Sequence, residues 1–126
     1  MPIRCLIVDD NEAFLRAAQL LLEREGLVVI GVASTSDDAM REAETLHPDV
    51  VLVDIFLGED NGLDLAQRLR DLYPRDGPAV ILISTHSERD VAELMAATPA
   101  VGFLPKAELS ATAVRTVLDG NGRGTR

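Results

Sequence analysis

The chain lacks the cysteines of a disulfide-stabilised protein and the long apolar run of a membrane protein. Tryptophan is absent and aromatic residues make up only 3% of the 126 residues, so a core must be built mainly from Val, Leu, Ile and Ala. Cys5 is the single cysteine, which excludes an intramolecular disulfide and fits a reducing cytoplasm. No apolar run approaches the roughly 18 residues of a membrane span, and residues 1–5 lack the pattern of a secretion signal. We therefore expect a cytoplasmic protein with no membrane contact.

Positive charge is also scarce. The formal net charge is −9, and Lys106 is the only lysine among twelve basic residues. Direct binding to nucleic acid needs clustered cations, so an acidic domain of this kind is a poor candidate for it.

What the chain does contain is a regular alternation of apolar runs and helical patterns. Strands are predicted at 4–8, 27–33, 50–53, 79–83 and 101–104, and helices at 12–25, 36–47, 63–73, 88–97 and 108–118. Strands that are apolar throughout are buried on both faces, which predicts an α/β fold with a doubly wound, five-stranded parallel sheet and helices on both sides. We expect one domain over residues 1–120 and a flexible tail or the start of a linker at 121–126.

Polar residues follow the ends of four predicted strands. Asp9 and Asp10 end the first, Asp54 the third and Ser84 the fourth, while Lys106 lies two residues beyond the fifth. Because ligands of such sheets bind outside the carboxyl ends of the strands, these side chains are expected to converge on one edge.

Three neighbouring carboxylates are not all stably ionised without a counter-charge. A hard divalent cation relieves their repulsion, and Mg²⁺ suits a site that offers a few carboxylates and completes its shell with water or phosphate oxygens. Asp54 is then a candidate nucleophile toward phosphorus, with Ser84 and Lys106 contacting phosphoryl oxygens. Each residue alone has a simpler interpretation: Asp9 or Asp10 as a helix N-cap, Asp54 in a turn, Ser84 bonded to local backbone, and Lys106 as a solvated charge.

Taken together and in order, LIVDDNEAF, VVLVDIFLGEDNGLDL, ILIST and GFLPK resemble the motifs of the response-regulator receiver domain of two-component signalling, a CheY-like family. The resemblance covers about Pro2 to Leu118. It implies the strand order 2-1-3-4-5 and a phosphorylation-dependent switch, not a turnover enzyme.

The resemblance also implies roles for individual residues. Asp54 would accept a phosphoryl group from a sensor histidine kinase or a phosphotransfer protein. Asp10 would bind Mg²⁺ directly, Asp9 mainly through water, and the backbone carbonyl of Phe56 would be a further ligand. Ser84 and Lys106 would contact the phosphoryl group. Phe103 matches the switch aromatic of the family, with plain packing of the strand as the alternative, and Gly62 matches the glycine that opens the third helix.

The chain departs from the family pattern at several places. Leu57-Gly58 stands where the family frequently has a Met-Pro pair. Ala107 follows Lys106 where the family usually has a proline joined by a cis bond, so the geometry of the Lys106–Ala107 bond is an open question. Phe56 and His86 occupy the positions that flank the approach of hydrolytic water. We expect the bulk of Phe56 to slow loss of phosphate, and His86 either to tune hydrolysis or to be a solvated loop residue.

Other functional classes stay open at this point. A Mg²⁺-dependent aspartyl-phosphate phosphohydrolase, a flavodoxin-like nucleotide binder and a degenerate receiver acting as a binding module are the alternatives. The output is expected on the face formed by the fourth helix, fifth strand and fifth helix, through which a homodimer is plausible. The chain is then either a single-domain regulator or a receiver whose effector domain is missing from this sequence. The LPKAELS segment is closer to receivers that precede a DNA-binding domain of the LuxR/NarL type.

Overall fold

The apolar runs of the sequence form one parallel sheet. A computed structural model describes the backbone of residues 2–123 and the side chains of residues 2–120. The strands of the sheet are β1 (Arg4–Val8), β2 (Val28–Ala33), β3 (Val50–Asp54), β4 (Ala79–Ser84) and β5 (Gly102–Pro105). All neighbours pair in parallel in the order β2-β1-β3-β4-β5, which confirms the predicted doubly wound α/β fold.

Five helices connect and cover these strands. They are α1 (Glu12–Arg24), α2 (Ser36–Leu46), α3 (Gly62–Leu72), α4 (Glu88–Met95) and α5 (Ala111–Arg123). Four of them begin where a short polar side chain accepts a hydrogen bond from a backbone N–H in the first turn; these N-caps are Asn11, Thr35, Asn61 and Ser87.

The core lies on both sides of the sheet, because successive strand residues point to opposite faces. Residues such as Leu52 and Ile83 face α1 and α5, whereas Val53 and Leu82 face α2, α3 and α4. Every residue of β3 is buried, so the strand that ends in Asp54 is anchored on both faces.

Two local features differ from the sequence prediction. A short antiparallel hairpin, Phe56–Leu57 with Asp60–Asn61, was not predicted; it fills the connection after β3. The fifth helix was predicted to start at Glu108 but starts at Ala111, because Lys106–Glu108 form a 3-10 turn and Ser110 Oγ accepts from the N–H of Ala113. Of the predicted tail 121–126, residues 121–123 continue α5, and 124–126 lie outside the described residues.

Within the described residues, no helix is both long and apolar enough to cross a membrane. All peptide bonds in the same part of the chain are trans, that between Lys106 and Ala107 included, which answers the open question about its geometry.

Candidate phosphoacceptor and metal site

Three carboxylates meet at the carboxyl edge of the sheet. Asp9 and Asp10 follow β1, Asp54 ends the adjacent strand β3, and one oxygen from each lies within 4.8 Å of the others. Asp9 is fully buried and Asp54 is buried, whereas Asp10 is exposed. The pairing of β1 with β3 therefore brings together residues that are 45 positions apart, as the sequence predicted.

Lys106 supplies the positive charge of this site. Its Nζ lies 2.5 Å from Asp9 Oδ2 and 3.3 Å from Asp54 Oδ2, and its side chain is only 13% exposed. The ammonium group also lies 4.4 Å from the centroid of the Phe14 ring, a cation–π contact from α1. Lys106 is thus a largely buried counter-charge, and the simpler interpretation as a solvated surface charge is wrong.

The Asp54 carboxylate has two hydrogen-bond donors on it. Phe56 N–H donates to Oδ1 at 3.2 Å and Lys106 Nζ donates to Oδ2 at 3.3 Å. Burial raises the pKa of Asp54 above its ordinary value, the neighbouring charge of Lys106 opposes that shift, and the charge of Asp9 adds to it. The positive charge of Lys106 and the hydrogen bonds of the protein therefore compensate the negative charge of Asp54 only in part.

The donor set fits a hard divalent cation. Asp9 Oδ1 accepts from Asn11 N–H at 2.9 Å, but the buried Oδ2 has no hydrogen-bond partner in the described part of the chain, and only the ion-pair contact with Lys106 offsets its charge. A buried oxygen whose charge only one ion-pair contact offsets, beside two further carboxylates, is costly unless a further cation joins them. All donors are oxygens, which is the set that Mg²⁺ prefers.

The connection after β3 is held close to the site by backbone packing. Gly62 N–H donates to the carbonyl of Ile55, and a Cβ at Gly62 would lie 2.1 Å from the carbonyl oxygen of Asp54. Asp60 Oδ2 accepts from the N–H of Ser36 at 2.8 Å, which ties the hairpin to the start of α2. Only glycine allows α3 to begin this near Asp54.

Ser84 lies at the end of β4, next to β3, with its hydroxyl fully buried and turned to its own loop. The backbone N–H of His86 donates to Ser84 Oγ at 3.1 Å, and the same Oγ lies 3.1 Å from His86 Nδ1. Among the described side chains no hydrogen bond joins Ser84 to Asp54 or Lys106. The local backbone bond considered for Ser84 is therefore present.

The remaining predicted positions surround this loop. Phe56 is 52% exposed, and its ring lies 5.1 Å from that of His86, tilted by 53°. Phe103 is buried in the core on the α2–α4 side and lines, together with His86, a surface cleft of about 340 Å³. Their proposed roles in hydrolysis and switching stay predictions.

Two residues were missed by the sequence analysis. Asn11, and neither Asp9 nor Asp10, caps α1, with Oδ1 accepting from Phe14 N–H at 3.1 Å. The pattern Asp-Asp-Asn before a helical run offers all three as caps, and only the backbone geometry selects among them. Phe14 lies in the helix predicted at 12–25, and its contact with Lys106 has no sequence signal.

The family model of the response regulator receiver domain matches residues 5–117. The chain is 36% identical over 103 residues to the alginate biosynthesis transcriptional regulatory protein AlgB of Pseudomonas aeruginosa, covering 82% of this chain and 22% of that protein. It is 34% identical over 89 residues to a protein-glutamate methylesterase/protein-glutamine glutaminase of Bacillus subtilis. This match covers 69% of this chain and 24% of that protein.

Among solved structures, the signal receiver domain of NarL from Mycobacterium tuberculosis superposes with a TM-score of 0.80 at 27% identity, covering 96% of this chain and 97% of that one. The match to a receiver domain thus extends over nearly the full length. By contrast, the chain spans half or less of the length of the curated relatives it matches, whose other parts have no counterpart in this sequence.

Proposed function

Because this chain belongs to the response regulator receiver domain family, we propose that it is a phosphorylation-dependent switch in which Asp54 accepts a phosphoryl group. The observation that supports the proposal most directly is the meeting of Asp9, Asp10 and Asp54 within 4.8 Å beside Lys106. The partner in the reaction is a phosphohistidine on a sensor histidine kinase or phosphotransfer protein, and the domain acts in the cytoplasm.

In the transfer step one carboxylate oxygen of Asp54 attacks phosphorus, the N–P bond of the phosphohistidine breaks, and its electron pair stays on the imidazole nitrogen. Asp54 is presented by a rigid, fully buried strand, so the attacking group is positioned before the donor arrives. Lys106 already contacts Asp54 and is placed to neutralise a phosphoryl oxygen.

Asp9, Asp10, Asp54 and the backbone carbonyl of Phe56 would hold Mg²⁺. When bound, the ion neutralises carboxylate and phosphoryl charge that Lys106 alone does not balance. The protein's own contribution is to keep the three carboxylates converging, with those of Asp9 and Asp54 buried and that of Asp10 exposed to water.

We propose that phosphorylation changes the face made by α4, β5 and α5, and that this face transmits the signal. Ser84 would turn toward the phosphoryl group and Phe103 would follow, which shifts a pre-existing equilibrium of that face. Homodimerisation through this face, and a DNA-binding effector domain outside this sequence, are parts of the proposal. The similarity to the transcriptional regulatory protein AlgB supports the latter.

The direct test is incubation with Mg²⁺ and acetyl phosphate followed by intact-mass measurement. We expect a single phosphoryl adduct in the wild type and in Asp76→Asn, an exposed carboxylate in the loop before β4 at the opposite edge of the sheet. The adduct is absent in Asp54→Ala and needs Mg²⁺.

Two outcomes would contradict the proposal. A folded protein that binds Mg²⁺ without forming an adduct would be a degenerate receiver that acts only as a binding module. Sustained turnover of phosphate esters dependent on Asp54 would indicate the phosphohydrolase alternative.

A further inference from the structure

We propose that His86 is a positioning residue that holds the Ser84 hydroxyl away from the phosphoryl site until Asp54 is phosphorylated. The inference rests on the proposed function and adds a specific restraint on the resting state. Its basis is the hydrogen-bonded pair at the end of β4 and the ring contact behind it.

The hydroxyl of Ser84 has one proton to donate and two lone pairs that accept. One lone pair already accepts the backbone N–H of His86 at 3.1 Å. His86 Nδ1, also at 3.1 Å, is then the acceptor for the hydroxyl proton when the imidazole carries its hydrogen on Nε2. The Ser84 hydroxyl thus both donates and accepts a hydrogen bond in a fully buried position.

A phosphoryl oxygen on Asp54 offers only acceptors. To donate to it, Ser84 must withdraw its proton from His86 Nδ1, so the two hydrogen bonds are mutually exclusive. The bond to His86 therefore stabilises the resting arrangement specifically, and its loss favours the arrangement that contacts the phosphoryl group.

The imidazole also contacts an aromatic ring. The rings of Phe56 and His86 lie 5.1 Å apart at 53°, in the range of favourable tilted aromatic pairs. Phe56 belongs to the hairpin that follows Asp54, so the contact links the loop of the acceptor to the loop of the hydroxyl. This ring contact gives His86 a defined orientation although it is exposed.

The test measures binding of beryllofluoride, a phosphoryl mimic, at fixed Mg²⁺ by calorimetry. His86→Phe keeps an aromatic ring but removes the acceptor, whereas His86→Asn places an oxygen where Nδ1 stood. Losing one hydrogen bond from the resting state should tighten binding about 2- to 10-fold in His86→Phe and leave His86→Asn near the wild type.

A double-mutant cycle locates the effect. In the Ser84→Ala background, His86→Phe should no longer change the affinity, because the hydroxyl that it releases is gone. Unchanged or weaker binding in His86→Phe, an equal effect of His86→Asn, or an undiminished effect in Ser84→Ala would each overturn the inference.

A second measurement needs neither Mg²⁺ nor phosphate. In nitrogen-15 spectra of the histidine side chains, we expect unprotonated Nδ1 and protonated Nε2 for His86. Ser84→Ala should move the Nδ1 resonance of His86 and leave that of His47, at the C-terminus of α2, unchanged. Should the wild type fail to bind beryllofluoride or accept phosphate, the proposed function fails, and this spectrum still decides the His86–Ser84 bond.

Discussion

The ion pairs of Lys106 offer the sharpest test of how the acidic site is stabilised. Lys106→Met keeps the length and most of the volume of the side chain but removes its charge, which is shared between Asp9 and Asp54 at 2.5 and 3.3 Å. Asp9 is fully buried, so it would be left without a counter-charge. Breaking a buried ion pair by removing one partner costs about 3–5 kcal/mol.

The lower end of that range, about 3 kcal/mol, is expected here because the site opens to water beside the exposed Asp10. With a urea m-value of about 1.5 kcal/mol/M, the unfolding midpoint of the metal-free protein should fall by about 2 M. Arg75→Met is the matched control, since it removes one positive charge from an exposed position in the loop before β4.

Mg²⁺ provides the diagnostic contrast. A bound cation replaces part of the missing charge, so saturating Mg²⁺ should stabilise Lys106→Met more than it stabilises the wild type. The reasoning would be refuted if Lys106→Met and Arg75→Met unfolded at the same urea concentration in EDTA, or if Mg²⁺ raised both midpoints equally.

Three further predictions concern other parts of the chain. Gly62→Ala should destabilise the protein by about 1–3 kcal/mol and slow phosphorylation, because the new Cβ would lie 2.1 Å from the Asp54 carbonyl oxygen. Urea unfolding measures the loss of stability, and Gly120→Ala is the control, since a Cβ there would have no atom within 4 Å. Phe56→Asn should lose phosphate several-fold faster than the wild type if the exposed ring restricts water, and equal rates by intact mass would contradict this. Burial raises the pKa of the Cys5 thiol to about 12, so iodoacetamide should label it only in urea. The unfolded thiol titrates at about 8.5, so the unfolded state loses its proton first and the free energy of unfolding falls as pH rises from there toward 12.

The strands were predictable because they are strongly patterned. Val50 to Val53 is an unbroken apolar run, and a run of that kind between helical patterns leaves few alternatives to a buried parallel strand. The start of α5 was not predictable to the residue, because Glu108 and Ala111 are both compatible with a helix. The choice depends on two hydrogen bonds at the start of α5. Ser110 Oγ accepts from Ala113 N–H, and Oε1 of Glu25, the residue that follows α1, accepts from Ala111 N–H at 2.7 Å.

At the site, the amino-acid sequence by itself determined which chemical groups reach the edge of the sheet. Asp9, Asp10, Asp54, Ser84 and Lys106 follow strand ends, and parallel pairing brings strand ends together whatever the side-chain details. Tertiary structure alone decided how those groups are satisfied. Three contacts depend on distances between side chains, which no periodicity in a sequence encodes. They are the ion pair of Asp9 with Lys106, the cation–π contact of Lys106 with Phe14, and the hydrogen bond between Ser84 and His86.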